Sequence, residues 1–438
     1  MKHQLLARHP IGNPHRVWKQ DQLIISAASA GPMDSKFRGL SELTRRKTRR
    51  NVQTSIDAGF NLIGCLWAYP EMAMDIVRTA EALGGNVQYQ DIHRFGGMGA
   101  KNIFCETNDY QGVLKDLEPW RCVKSLCLWD EPILKEHMEE VRRMIEYCEQ
   151  VRPEMLPYTV ANPYYCRAFG KDLKAYEEYI EQFMEIIDPA EMSFDYYPIG
   201  TTEHDPVNQL DLSHMWLNLE LVRRASQKRN IPFWFWFQGH RYHFHKIYYT
   251  FTFAMARSMA NAGILHGVKG IECYNEFDGY TDPATGGEGA FFKEHQAYNR
   301  ELHMLSNTLM ALTCKRVIHD DLLLPDDPNM EHYRTSIEES ELIEGPLLPR
   351  ISVSEHEDEY GNQYFMVLNR DYEKDAHIRF NLKQTSHVYE VSKEDGEQYL
   401  HDQETERFSL RLAPGELRLY RIQPAEEEPY TIEYYLEK

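Results

Sequence analysis

Three short clusters carry most of the chemistry this sequence can perform. They are Asp130-Glu131-Pro132 in VKSLCLWDEP, Asp195-Tyr196-Tyr197 in SFDYYPIG, and Glu272, Asn275, Glu276 and Asp278 in ECYNEFDG. Each closes or follows a short apolar run. Two carboxyl groups facing one pocket can take opposite protonation states. One holds a proton for a leaving oxygen while the other stays ionised as nucleophile or water activator. Glu131 is the candidate acid, because burial beside Trp129 and the neighbouring charge of Asp130 both disfavour its ionised form. Asp195 is the first candidate for its partner, since the hydroxyls of Tyr196 and Tyr197 can donate to it and hold it ionised. Glu276 is the second. Plainer roles stand beside these: the acidic triplet as a turn that starts a helix, Asp195 as a strand-end residue that positions tyrosines, and Glu272 as the partner of a buried base.

The remaining candidates are substrate-binding residues at the ends of similar runs. They are Trp67 and Tyr69; His93 and Arg94, just after Asp91; Asp130; Asn162 and Tyr164; Tyr196 and Tyr197; Trp236, Gln238 and His240; and Glu272 with Asn275. Flat aromatic faces pack on the C–H faces of sugar rings while polar neighbours bind the hydroxyls, so this mixture points to carbohydrate chemistry. Many of the aromatics must be core: in PFWFWF alternate side chains point to opposite faces of a strand. The histidine-rich HRYHFHK (240–246) lacks the further ligands and spacing of a metal site, so no metal and no cofactor is expected.

What positions these residues is a repeat. Apolar strand-like runs fall at 22–30, 61–67, 86–92, 123–129, 155–161, 191–197, 232–237 and 268–274. Helical patterns separate them, such as 42–58, 135–150, 172–187 and 212–228. In the second of these Met138, Val141, Met144, Ile145 and Cys148 form one apolar stripe. Eight β-α units predict a closed (β/α)8 TIM barrel, with chemistry at the C-terminal strand ends. No glycine-rich phosphate fingerprint follows the first run, which argues against a dinucleotide-binding sheet. After a helix near 293–314 and a linker at 320–330, short alternating strands predict a C-terminal antiparallel β-sandwich. The expected division is a barrel over 1–325 and a sandwich with an acidic tail over 326–438. The tail's aromatics either pack back on a neighbour or stay solvated.

Composition narrows the partners. Across 438 residues, 48 Lys and Arg against 68 Asp and Glu leave a formal net charge of −20, which disfavours a nucleic-acid surface. A neutral carbohydrate fits better. The cysteines are scattered with no C-x-x-C pair and read as buried free thiols in a reducing compartment. No signal peptide and no membrane-length apolar run is visible, so a cytoplasmic protein is expected, away from membranes, with homo-oligomerisation left open.

The barrel acid after the fourth run, together with an ending in LAPGELRLYRI, resembles the clan A glycoside hydrolases, particularly their β-galactosidase-like branch. WDEP, FDYYP, WFQGH and VKGIECY together resemble a group of gut-bacterial barrel proteins classed with glycoside hydrolases. The resemblance spans about residues 20–420. It implies a glycoside hydrolase with Glu131 as the fourth-strand acid/base. It also exposes a departure: the clan's nucleophile, a glutamate ending the seventh strand, is matched here by Gln238, whose neutral amide cannot attack an anomeric carbon. The second carboxylate is then expected from Asp195, as in α-galactosidase-like barrels with acids on strands four and six, or from Glu276 or Glu272. Exo action at the non-reducing end of an oligosaccharide or glycoside is expected, because the long loops 200–212 and 279–292 can close one side of the pocket. The rival readings are a barrel that binds glycans without cleaving them, and a sugar lyase or isomerase using Tyr and His as bases.

Overall fold

A computed structural model of the chain describes residues 2–27, 41–65, 68–99, 108–170, 172–199, 214–240, 250–275, 279–319, 321 and 333–437. Eight parallel strands close into a barrel in chain order: β2 (Ile24–Ala27), β3 (Leu62–Gly64), β4 (Val87–Gln90), β5 (Val123–Asp130), β6 (Leu156–Ala161), β7 (Met192–Tyr196), β8 (Phe233–Gln238) and β9 (Gly270–Tyr274), with β9 pairing back to β2. Every one of the eight expected runs supplies a strand. The reason is visible in burial: β3, β4, β6, β7, β8 and β9 are buried along their whole length, because one face meets the barrel interior and the other the helices.

The helices between them follow the sequence pattern: α1 (Glu42–Asp57), α2 (Pro70–Leu83), α3 (Tyr110–Leu117), α4 (Lys135–Val151), α5 (Leu173–Ile186), α6 (Met215–Lys228), α7 (Phe253–Leu265) and α8 (Phe292–Ala311). The stripe on α4 is buried as expected. Local capping sets their starts. Ser41, Asp172 and Thr252 each accept a backbone N–H of the first turn of α1, α5 and α7. The barrel floor is plugged by the N-terminal segment: Trp18 packs edge-on to Trp234, and Gln20 accepts from the Trp234 indole at 3.0 Å.

The C-terminal module is an antiparallel sheet in the order β10 (Thr313–Ile318), β12 (Ile351–Glu357), β13 (Gln363–Asn369), β16 (Leu417–Pro424), β14 (Ala376–Val391), β11 (Ile343–Glu344), with β15 (Gln398–Leu412) also on β14. The long β14 changes partners midway. β15 runs along both halves, while on the other edge the first half pairs with β11 and the second half with β16. Ile378 and Phe380 from that first half, with Phe408 and Leu410 of β15, thus share a core with Val353, Phe365, Val367 and Ile422, which makes the module a sandwich.

One detail differs from the sequence reading, and of the two readings of the tail the packed one holds. Residues 313–318 are a strand, not the end of a helix. Leu312 leaves helical geometry, and Cys314, Val317 and Ile318 are buried where the strand pairs with β12. The sheet therefore begins ahead of the 325/326 boundary, which itself lies outside the described residues, as does nearly all of the 320–330 linker. The tail is a strand too: β17 (Tyr430–Leu436) pairs in parallel with β1 (Lys2–Arg8), burying Ile432 and Tyr434. The described cysteines are free thiols, all buried except the partly exposed Cys166; Cys105 lies outside the described residues. No helix among the described residues is long and apolar enough to cross a membrane.

Candidate active site

The fourth and sixth barrel strands bring Asp130, Glu131 and Asp195 together at the C-terminal mouth. A register shift between Cys127 and Trp129 puts two residues of β5 opposite one of β6. The bulge turns Trp129 outward, where it stacks on His137 of α4 at 4.3 Å and donates to the Gly99 carbonyl. Trp129 therefore does not wall the site, contrary to the sequence expectation. The loop after β4 closes on this strand end: Asp130 N–H donates to Gly97 at 2.9 Å, and its carbonyl accepts from Gly99 at 2.8 Å. Gly96 makes that approach possible, since a Cβ there would lie 2.1 Å from the Leu128 carbonyl oxygen, and its φ is +73°.

Glu131 follows with a φ of 55°, the left-handed region that costs a residue with a Cβ about 1–2 kcal/mol. Such geometry persists only where the surroundings enforce it, and it concentrates at functional sites. Here the Glu131 N–H donates to Val160 at 3.0 Å and its carbonyl accepts from the Asn162 side-chain amide at 2.9 Å.

The Glu131 and Asp195 carboxyls are hydrogen-bonded to each other. Burial holds the Glu131 carboxyl well above the usual range, reinforced by the charges of Asp195 and Asp130. Burial likewise raises Asp195, to about 7, with Asp130 adding to the rise. Opposing this, Asp195 receives hydrogen bonds from Glu131, from its own backbone and from the Tyr197 hydroxyl. The shared hydrogen bond stabilises Asp195 as the ionised acceptor and Glu131 as the proton holder. The second Asp195 oxygen, Oδ1, is buried and accepts no hydrogen bond among the described residues. Tyr197 is itself fixed by stacking on Tyr274 at 4.9 Å.

Other candidates are placed elsewhere. Glu272 lies inside the barrel, where Gln88 donates to it at 2.8 Å and Ser193 at 3.3 Å; burial raises its carboxyl to about 8. Trp236 is inside as well, its indole donating to Ser193 at 2.9 Å. Gln238 spends its amide on backbone: it accepts from Ile199 N–H at 3.0 Å and donates to the Ile199 and His240 carbonyls at 2.7 and 3.0 Å. Its residue type at the seventh strand end thus reflects loop anchoring. His240 is buried with Nδ1 at 2.9 Å from the Tyr274 carbonyl. Asn275 staples its own loop, donating to Thr281 Oγ1 at 3.1 Å and accepting from Tyr280 N–H at 3.3 Å. Arg94 is drawn to α3, in ion pairs with Asp109 at 2.8 Å and Asp116 at 2.5 Å. Asp91 caps the Arg94 N–H at 3.2 Å, and burial raises its carboxyl to about 6. Tyr69 and His93 stack on each other at 4.7 Å and are partly exposed.

After β6 the aromatic at the rim is Tyr165, not Tyr164. Tyr164 is buried against Tyr176 and His214, whereas Tyr165 is 47% exposed and meets the edge of the buried Tyr196 at 4.9 Å. The sequence reading passed over Tyr165 because alternation ends with the strand at Ala161. Trp67, Glu276, Asp278 and the rest of the histidine-rich segment after His240 lie outside the described residues, as does the 200–212 loop. The 279–292 loop is pinned to α1 through Thr54, which donates to Gly286 at 3.1 Å, and through Tyr280 against Ser55. Among the described residues no group of three or more His, Cys, Asp or Glu is arranged to hold a metal ion.

The sequence matches no family model and no curated protein. Among solved structures, the chain is similar to a catalytic mutant of a GH42 β-galactosidase from G. stearothermophilus, with a TM-score of 0.56, 8% identity, and coverage of 92% of this chain and 98% of that one. It is also similar to a GH27 β-L-arabinopyranosidase from Geobacillus stearothermophilus, with a TM-score of 0.51, 10% identity, and coverage of 92% and 98%. At such identities the likeness is one of fold: a barrel followed by a β module, shared with glycosidases of two classes.

Proposed function

We propose that this protein is a glycoside hydrolase that removes a sugar from the end of an oligosaccharide or glycoside, with Glu131 as acid/base and Asp195 as nucleophile. The observation that carries this reading is the hydrogen-bonded Glu131–Asp195 pair at the barrel mouth, in which burial keeps one carboxyl protonated while Tyr197 supports the other as an anion. A touching pair leaves no gap of about 6.5–9.5 Å for an attacking water, and stands nearer the roughly 5–5.5 Å of retaining enzymes. In the first step Asp195 bonds to the anomeric carbon as its bond to the glycosidic oxygen breaks, and Glu131 gives that oxygen its proton. In the second, Glu131 takes a proton from water, whose oxygen bonds to the same carbon and frees Asp195. Exo action and a metal-independent mechanism are parts of the same proposal. Tyr165 supports it as an exposed face on which a sugar ring can stack.

The direct test is turnover of a panel of aryl glycosides and oligosaccharides, with the anomer first released read by NMR. Retention of configuration is expected. Saturable binding of a glycan by calorimetry with no turnover would instead favour a non-catalytic glycan-binding barrel.

Three further outcomes are expected. Asp195 must be ionised and Glu131 protonated, so kcat/KM rises with pH through about 7 rather than near 4, and falls again at higher pH as Glu131 loses its proton. Tyr197→Phe removes a donor to the ionised Asp195, which raises that carboxyl, so the rising limb moves to higher pH. An unmoved limb would remove Tyr197 from this role. Tyr165→Ala is expected to raise KM about 10-fold or more on oligosaccharides, the loss of roughly 1.4 kcal/mol of stacking, with little change in kcat. An unchanged KM across the panel would show that no sugar stacks there.

A further inference from the structure

We propose that Tyr179 of α5 and Asn162 are positioning residues that hold Glu131 in its left-handed conformation and so keep it against Asp195. The inference rests on the acid role given to Glu131 above and extends it to a helix outside the barrel.

The Tyr179 hydroxyl has one proton to give and two lone pairs, and all three are used. It donates to the Pro132 carbonyl at 3.2 Å, and it accepts from the Asn162 backbone N–H at 2.9 Å and the Asn162 side-chain amide at 3.4 Å. Asn162 is held equally firmly. Its side-chain amide donates to the Glu131 carbonyl at 2.9 Å, and its own carbonyl accepts from the Tyr176 hydroxyl at 2.9 Å. Behind these, Asn218 of α6 donates to Tyr176 at 2.7 Å and accepts from the Tyr164 N–H at 2.8 Å. One buried chain of hydrogen bonds therefore runs from α6 through α5 to the carbonyls of Glu131 and Pro132.

Those carbonyls belong to the residue with the unfavourable φ and to the one after it. An isolated residue with a Cβ would relax out of that region. Were the Glu131 peptide to relax, its side chain would swing off Asp195, and the shared hydrogen bond would be lost. Asn162, a substrate-binding candidate in the sequence, has its side-chain amide committed to this clamp instead. Around Glu131 the charged neighbours are Asp195 and Asp130, while burial keeps the Tyr179 hydroxyl neutral. Neither charged group belongs to the clamp and the Tyr179 hydroxyl carries no charge, so the clamp can be altered without removing one.

The test is Tyr179→Phe, which keeps the ring and removes the hydroxyl. Crystal structures of wild type and variant would be compared, alongside pH–rate profiles. In the variant Glu131 should leave a φ near 55° or part from Asp195. Misplacement of a catalytic group by about 1 Å lowers rates about 10²-fold, so kcat should fall by roughly that factor while KM changes little. The two limbs of the pH profile should draw together, since the shared hydrogen bond is what spreads the pair's titrations apart. A variant with Glu131 unmoved, the contact intact and the profile unchanged would overturn the proposal, whatever its thermal stability. Should Tyr179→Phe fail to fold, Asn162→Ser removes the amide that holds the Glu131 carbonyl, and the same two outcomes decide. If wild type hydrolyses no glycoside, the hydrolase reading fails, and the crystallographic comparison alone still decides the clamp.

Discussion

Glu131→Gln should lower kcat on natural oligosaccharides by about 10²–10⁴-fold, the usual cost of losing a general acid. The change keeps side-chain size and removes the proton that burial and the neighbouring Asp195 and Asp130 hold in place. Its effect should depend on the leaving group. Aryl glycosides with acidic phenols leave without protonation, so their first step should be nearly spared, and breakdown of the covalent intermediate should become limiting. The falling limb of the pH profile should vanish as well. Wild-type rates on natural substrates would remove Glu131 from the acid role.

Asp195→Ala carries the second large expectation: loss of hydrolysis on every substrate, partly restored by azide or formate. Removing the nucleophile leaves a space beside the anomeric carbon while Glu131 can still protonate the leaving oxygen. A small anion can occupy that space, and with azide the product should be a glycosyl azide of inverted configuration. This test also separates Asp195 from Glu276, which the sequence offers as the alternative. Normal turnover by Asp195→Ala together with an inactive Glu276→Ala would move the nucleophile to the eighth strand. Activity in both variants would end the two-carboxylate mechanism.

The barrel was legible because its strands are buried on both faces, which leaves unbroken apolar runs such as PFWFWF, and because the helices between them carry stripes like the one on α4. Strand ends then named Glu131 and Asp195. What sequence spacing did not show was where side chains at those ends turn. The bulge at Cys127–Trp129 sends Trp129 outward, and nothing in WDEP announces it. Arg94 and Gln238 sit at strand ends, yet their side chains are used by Asp109, Asp116 and loop backbone. Tyr165 took the rim position assigned to Tyr164 because strand alternation does not continue into a loop. Tyr179 gave no signal at all: in α5 it reads as one more apolar-face residue, and only the fold sets its hydroxyl against Asn162 and Pro132. The parallel pairing of β1 with β17 was hidden for another reason, since it joins segments from opposite ends of the chain with no connecting turn to mark it.

The central claim is that Asp195 attacks while Glu131 protonates, and mass spectrometry tests it most directly. Wild-type protein would be incubated with activated 2-deoxy-2-fluoroglycosides, whose second step is slow, then denatured, digested and mapped. The account predicts a single glycosyl adduct on the peptide containing Asp195. An adduct on Glu131 or Glu276, or turnover with inversion and no adduct, would contradict it.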